Sequence, residues 1–281
     1  MKTNRTYIGI DLGGTSVKGG LVGPGRILHE ETILLHRQGT TGDIYEQICR
    51  LIDSLWTMDV KGIGFAVPAL INFGTGVIYG LNNIPQLDDF PLREKLTERY
   101  GVPVLLQNDA NCFVLGEKYF GSAMEYEDVV GLITGTGVGA GLFINNRLYS
   151  GVNCGAGEFG MIPYKDKDFE SYCSGKFFVE QYFMAGEEMA VQAAEGDNRA
   201  QEAFDSYGKH LAELLKLICY ALDPAMIVIG GSVSRSFALY EHTMRKGMES
   251  FYFPTEKKIR IVPSEMQDVA IYGAAGLFYT H

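Results

Sequence analysis

The sequence predicts an α/β protein of two similar domains, each a sheet with flanking helices. Three observations carry this. The chain opens on a glycine-tipped strand pair at Ile8–Val22, I-G-I-D-L-G-G-T-S-V-K-G-G-L-V. The same device recurs at Val130–Arg147, V-G-L-I-T-G-T-G-V-G-A-G-L-F-I-N-N-R, where Gly9 matches Gly131, Gly13 matches Gly135 and Gly19 matches Gly141. Elsewhere, short apolar runs alternate with stretches of helical periodicity. A repeat of this length implies two related units, each presenting one loop to a shared cleft.

In chain order, Tyr7–Asp11 reads as a strand, Gly13–Ser16 as a tip of nearly bare backbone, and Val17 opens the returning strand. Bare backbone lets N–H groups approach an anion, and glycine permits the positive φ that such a nest needs. Asp11, at the strand end, is placed to hold a hydrated cation beside that anion. No helix follows the tip, so it is neither a Walker A loop nor a dinucleotide fingerprint. After the turn Gly23-Pro24-Gly25, a third strand spans Arg26–Leu35, and three meandering strands fit a mixed sheet. Asp43–Trp56 is a helix with Ile44, Ile48, Leu51, Ile52 and Leu55 on one face. Ile63–Val67 is a buried strand ended by Pro68, Asn72–Gly80 a loop, and Pro91–Tyr100 a helix stopped by Gly101. The strand Val104–Leu106 delivers Gln107, Asn108 and Asp109 at its C-terminal end, where open α/β sheets bind ligands. An apolar helix follows over Cys112–Phe120, so Asn108 or Asp109 also reads as its N-cap.

The second half begins with the strand Val129–Ile133 and the repeated loop, with Asn145-Asn146 as a hairpin turn. Gly151–Gly160 is glycine-rich and carries Glu158; F-E-S-Y-C-S-G carries Glu170. On local sequence alone either acid reads as an exposed loop carboxylate. Two helices follow, Lys176–Glu195 and Arg199–Leu222, the second ended by Asp223-Pro224. The buried strand Met226–Ile229 runs into Gly230-Gly231-Ser232, a small-residue turn on which a flat ligand could lie. A helix at Ser236–Met248, a strand at Ile259–Val262 and a small-faced helix at Ala270–Phe278 complete the chain.

With 281 residues, 46% hydrophobic, the chain can bury two cores. A net charge of −10 with no basic patch argues against a duplex nucleic-acid binder. Cys49, Cys112, Cys154, Cys173 and Cys219 are scattered, with no C-x-x-C pair, so neither a disulfide framework nor a cysteine zinc site is expected. Met1–Thr6 is short and polar and leads straight into a strand. With no signal-like segment and no membrane-spanning apolar stretch, a cytoplasmic location is expected.

D-L-G-G-T-S-V-K, N-D-A-N, T-G-T-G-V-G-A-G and I-G-G-S, in this order, resemble the ROK sugar kinases of the actin-like ATPase superfamily, over almost the whole chain. The resemblance implies two actin-like (ribonuclease H-like) domains, each a mixed five-stranded sheet with flanking helices and a cleft between them. The expected division is 1–111 with 270–281, then 112–269; with no linker, charge run or low-complexity segment in the chain, the boundary is expected at a hinge near residue 112. It implies ATP and Mg²⁺ as cofactors, held by Asp11 (Mg²⁺ through water), Gly13, Gly14, Thr15, Lys18, Thr134, Gly135, Thr136 and Gly137, with Gly230 and Gly231 beside the adenosine. It implies Asn83, Asn108, Glu158 and Glu170 as sugar contacts and Asp109 as catalytic base. Amides and carboxylates supply the donors and acceptors that sugar hydroxyls need. The implied activity is phosphorylation of a hexose hydroxyl, O6 of glucose first, with a β-glucoside, an N-acetylhexosamine or fructose as alternative acceptors. A non-catalytic sugar-sensing protein is the competing class, disfavoured by the intact N-D-A-N and by a chain that starts at its first strand rather than with a helix-turn-helix. A homodimer binding only small molecules is the implied assembly. Three departures stand out. Met161 occupies the position of a family histidine, Ile162–Phe169 is short and lacks the cysteine cluster, so no structural zinc is expected, and Ala69 replaces a glycine after Pro68.

Overall fold

A computed structural model describes residues 5–36, 38–72, 74–81, 83–251 and 259–280. Met1–Asn4, part of the polar N-terminal stretch read above, lie outside the described residues. Contacts group the chain into two compact units, Met1–Glu125 with Gly141–Ala156 and Glu265–His281, and Tyr126–Ala140 with Gly157–Ser264.

In the first unit, strands β1 (Thr6–Leu12), β2 (Ser16–Gly23), β3 (Arg26–Leu34), β4 (Val60–Val67) and β5 (Val104–Asn108) form a sheet of order β3-β2-β1-β4-β5. The hairpin and β3 pair antiparallel, whereas β4 lies parallel to both β1 and β5. Helix α1 (Thr41–Leu55) starts at a capping box between Thr40 and Asp43 and lays Ile44, Ile48, Leu51, Ile52 and Leu55 into the core. Helix α2 (Leu92–Tyr100) ends at Gly101 in the left-handed conformation. Helix α3 (Asp109–Phe120) and the late helix α9 (Val269–Gly276) pack together and against the sheet. This approach is very close. A Cβ on Gly9 would overlap the carbonyl oxygen of Ile271, one on Gly64 that of Ala274, and one on Gly273 that of Cys112. The small face of α9 and the mid-strand glycines are therefore two halves of one contact.

The second sheet repeats that strand order. Strands β6 (Val129–Thr134), β7 (Val138–Ile144), β8 (Arg147–Leu148), β9 (Met226–Gly230) and β10 (Arg260–Pro263) are arranged β8-β7-β6-β9-β10, with β9 parallel to β6 and β10. Asn145 and Asn146 both turn with positive φ between β7 and β8, as their chemistry favours. Helices α4 (Phe169–Cys173), α5 (Lys176–Tyr182), α6 (Gly186–Ala194), α7 (Asn198–Leu222) and α8 (Phe237–Met248) fall in the second unit, whereas β8 is grouped with the first. Two mixed five-stranded sheets with flanking helices are the architecture the resemblance implies.

Several details differ from the sequence reading. The expected single helix over Lys176–Glu195 is two, broken where Phe183 takes a left-handed conformation and Gly186 opens α6. Buried Phe178 and Met189 are about three turns apart, so apolar periodicity runs through the break undetected. Asn72–Gly80 is not all loop, since Ile78–Tyr79 pairs antiparallel with Leu70–Ile71. The expected hinge near residue 112 falls inside α3, which belongs wholly to the first unit. No helix among the described residues is long and apolar enough to cross a membrane.

Candidate functional site

Each unit carries one glycine-tipped loop with acidic residues beside it. In the first unit the tip of β1–β2 lies against Asn83: a Cβ on Gly14 would come within 2.8 Å of the Asn83 Cβ. The amide expected at the sugar and the first phosphate loop are thus neighbours. Thr15 is exposed at the tip, and its carbonyl accepts from Leu35 N at 2.9 Å. Neither Gly13 nor Gly14 has positive φ, nor have Gly135 and Gly137. The left-handed nest expected at these tips is absent, and where a neighbour is close, as at Gly14 and Gly137, glycine is needed for space.

Asp11 sits on β1 opposite Lys18 of β2. Burial, followed by the nearby charges of Asp109 and Asp268, pushes its carboxyl up to about 6, with Lys18 opposing. Lys18 does not stand free toward a phosphate: its Nζ donates to Asp268 Oδ1 at 2.7 Å and lies 3.5 Å from Glu30. Asp268 takes a left-handed backbone just before α9. Sequence reading missed it; the available signal was an acid directly preceding the small-faced helix.

Asn108 is the N-cap of α3, its Oδ1 accepting from Ala110 N at 2.9 Å. Asp109, first residue of that helix, accepts from the same N–H at 2.9 Å, and burial raises its pKa above the usual carboxylate range. Gln107, also missed as a site residue, organises this strand end. Its Oε1 accepts from Asn108 N (2.9 Å), Asn111 Nδ2 (3.1 Å) and Cys154 Sγ (3.3 Å), while its Nε2 donates to Ser150 Oγ at 3.1 Å.

In the second unit, Thr134 is buried at the end of β6, its hydroxyl donating to Gly230 O at 3.3 Å. Gly135 accepts from Gly175 N at 2.7 Å through its carbonyl, and Thr136 is exposed at the tip. Gly231, with φ +92°, lies so close to Thr134 that a Cβ would overlap its carbonyl. Thr134, Gly135, Gly230 and Gly231 are therefore one cluster. Beside it is a cavity of about 270 Å³ lined by Gly175, Phe178, Glu187, Phe204, Ser232 and Arg235. The break between α5 and α6 brings Gly186 and Glu187 to its wall.

Glu170 reaches the second loop directly. Its Oε2 accepts from Val138 N at 3.1 Å, its Oε1 pairs with Lys176 Nζ at 2.5 Å, and a Cβ on Gly137 would come within 2.5 Å of Oε2. Glu158 is exposed and opens the short 3-10 turn Phe159–Met161. Met161 itself is exposed. All five cysteines are buried and none is in a disulfide, and no cluster of three or more His, Cys, Asp or Glu side chains able to hold a metal ion occurs among the described residues.

The ROK family model matches residues 7–281. The chain belongs to the ROK family. It is 32% identical to an N-acetyl-D-glucosamine kinase of Escherichia fergusonii over 261 residues, covering 83% of this chain and 86% of that protein. A ROK glucokinase from Streptomyces griseus, solved with glucose and AMPPNP, superposes with a TM-score of 0.79 at 25% identity, covering 97% of this chain and 98% of that one. A ROK protein from Streptococcus pneumoniae in complex with sucrose gives a TM-score of 0.84 at 28% identity, with 97% of both chains covered.

Proposed function

We propose that this ROK protein is an ATP-dependent sugar kinase whose acceptor is a hexose, with an N-acetylhexosamine as the preferred substrate class. Glucose, the first acceptor expected from sequence, ranks second, because the 32% identical relative is an N-acetyl-D-glucosamine kinase. The observation that carries the reading is Asp109, a half-buried carboxylate beyond the end of a parallel strand, with a pKa raised by desolvation.

Phosphoryl transfer asks the protein mainly for positioning and charge neutralisation. Asp109 accepts the proton of the attacking hydroxyl, and its raised pKa makes it a stronger base than an exposed aspartate. Asn83, Asn108, Glu158 and Glu170 orient the sugar by hydrogen bonds. Gly13, Gly14 and Thr15 on one loop, and Thr134, Gly135, Thr136 and Gly137 on the other, serve the phosphates, while Lys18 is held by Asp268; Gly230 and Gly231 serve the adenosine. Asp11, half-buried near Asp109 and Asp268 with only Lys18 opposing, is a carboxylate short of positive charge, and it fits a Mg²⁺ ion held through water. Mg²⁺ bound there would neutralise phosphate charge.

The test is sugar-dependent ADP release across a panel of glucose, N-acetylglucosamine, N-acetylmannosamine, fructose and methyl β-glucoside. Fastest turnover with an N-acetylhexosamine is expected. Nucleotide binding without ADP release for any sugar would instead make the protein a sensor.

A further inference from the structure

A second cavity, of about 360 Å³, lies wholly within the first unit, and one of its walls, Leu70–Ile71, packs against β5, the strand that ends at Asn108. It is lined by Leu70, Ile71, Asn72, Gly74 and Tyr79 of the small hairpin, in which Leu70–Ile71 pairs with Ile78–Tyr79, and by the loop residues Val152 and Asn153. The hairpin obeys the two-residue alternation of a strand, but with an unusual outer face. Ile71 and Ile78 are cross-strand partners and enter the first core. Leu70 and Tyr79 are the other pair, and they stand 46% and 44% exposed. A hairpin with one wet face ordinarily places polar residues there. Val152, across the cavity, is 95% exposed. Three apolar side chains thus flank one concave space without covering one another.

The space is tied to the proposed acceptor residues by covalent and hydrogen-bonded links. Leu70 follows three residues after Val67, the strand partner of Asn108. On the other wall, Ser150 and Cys154 are both bonded to Gln107, which precedes Asn108, so Val152 and Asn153 are held between two anchors. Gly151 and Cys154 both take positive φ, which fixes the loop's course between those anchors.

We propose that this cavity is a subsite for an apolar substituent on the acceptor sugar. On this view the acceptor class extends beyond N-acetylhexosamines to hexoses bearing a larger alkyl or aryl group, packed between Leu70, Tyr79 and Val152. The inference rests on the kinase reading above and deepens its substrate class. The volume falls in the range of small-molecule sites, roughly 300–1,000 Å³, and it exceeds what an acetyl group fills. Burying a few methylenes, or one ring face, against these walls raises kcat/KM by about tenfold or more.

The test compares acceptors that differ only in that group: N-acetyl-, N-hexanoyl- and N-benzoylglucosamine, and methyl and phenyl glucosides of both anomers. Each is assayed with the wild type and with Val152→Asp, a fully surface position. At least one series is expected to rise about tenfold with apolar size in the wild type. Val152→Asp should erase that rise and leave the smallest acceptor of the series within about twofold. No rise in any series, or an equal loss on every acceptor in the variant, overturns the subsite while leaving the kinase intact. No turnover of any acceptor would remove the kinase reading, and the subsite with it.

Discussion

His210 on α7 offers a quantitative test of how the second unit holds Glu170 in place. The ring is 8% exposed, lies 4.8 Å from the Tyr172 ring, and has its Nδ1 3.1 Å from the Tyr164 hydroxyl. Tyr164 in turn stacks on Phe169 at 4.3 Å, and Phe169 and Tyr172 flank Glu170 within α4. Burial, aided by the charges of Lys165 and Lys209 and opposed by Glu213, lowers the His210 pKa from 6.5 to about 4. The folded state therefore binds this proton less readily than the unfolded state does. Stability is fully present above pH 6.5 and is lost as pH falls toward 4. The full loss is about 3 kcal/mol, of which about 2 kcal/mol has gone by pH 5. Asp11, whose pKa is raised, titrates with the opposite sign, so the wild-type curve alone mixes the two. Comparison with His210→Asn separates them, because the Asp11 contribution is common to both proteins. The variant starts less stable at pH 7.5. Between pH 7.5 and 5.0 the wild type should lose about 2 kcal/mol more than the variant, a Tm difference of roughly 4–8 °C. If thermal melts show the same gap between the two proteins at both pH values, His210 is not held neutral and the argument fails.

Asp109→Asn should lower kcat by about 10²–10⁴-fold, the usual contribution of a positioned base, with sugar affinity by calorimetry nearly unchanged. Full activity in a folded variant would remove Asp109 as the base. Gly64→Ala places a methyl group on the Ala274 carbonyl, so α9 must shift, at a cost of about 1–3 kcal/mol or more in thermal melts. Gly42→Ala in the first turn of α1 meets only the Thr40 hydroxyl, at 3.6 Å, and should be neutral or stabilising by up to about 1 kcal/mol.

Most of the fold is legible because its signals are local. Glycine-tipped apolar runs mark both hairpins, and Asn145-Asn146 marks the turn between β7 and β8. What sequence hides depends on partners distant in the chain. Gln107 looks like an ordinary strand-end amide until Ser150 and Cys154 fold back onto it. Lys18 reads as a phosphate contact from its place in the hairpin, but Asp268, 250 residues away, has claimed its ammonium. Gly9 and Gly64 read as weak points in strands; only α9 shows that they are seats for a helix backbone. The expected left-handed nest failed for a related reason. Glycine has two uses, positive φ and absence of a Cβ, and sequence cannot say which one a neighbour requires.

The proposed role of Glu170 at the sugar has to coexist with its bond to the second loop. Both carboxylate oxygens are engaged, Oε2 by the Val138 amide and Oε1 by Lys176. The two bonds differ in strength. The Lys176 side chain is 48% exposed, and such a pair contributes roughly 0–1 kcal/mol. The amide bond is a charge-assisted one to a buried strand residue, worth about 1.5–3 kcal/mol. A sugar hydroxyl can therefore displace Lys176 from Oε1 at little cost while Oε2 keeps the loop in shape. Lys176→Met should then leave the sugar KM unchanged or lower it, because a competitor for Oε1 is gone. Glu170→Gln keeps a carbonyl oxygen for Val138 but loses the charge on the sugar side, and should raise the sugar KM by roughly ten- to a hundredfold. A raised sugar KM in Lys176→Met would show instead that the lysine itself contacts the substrate, with Glu170 acting only to hold it.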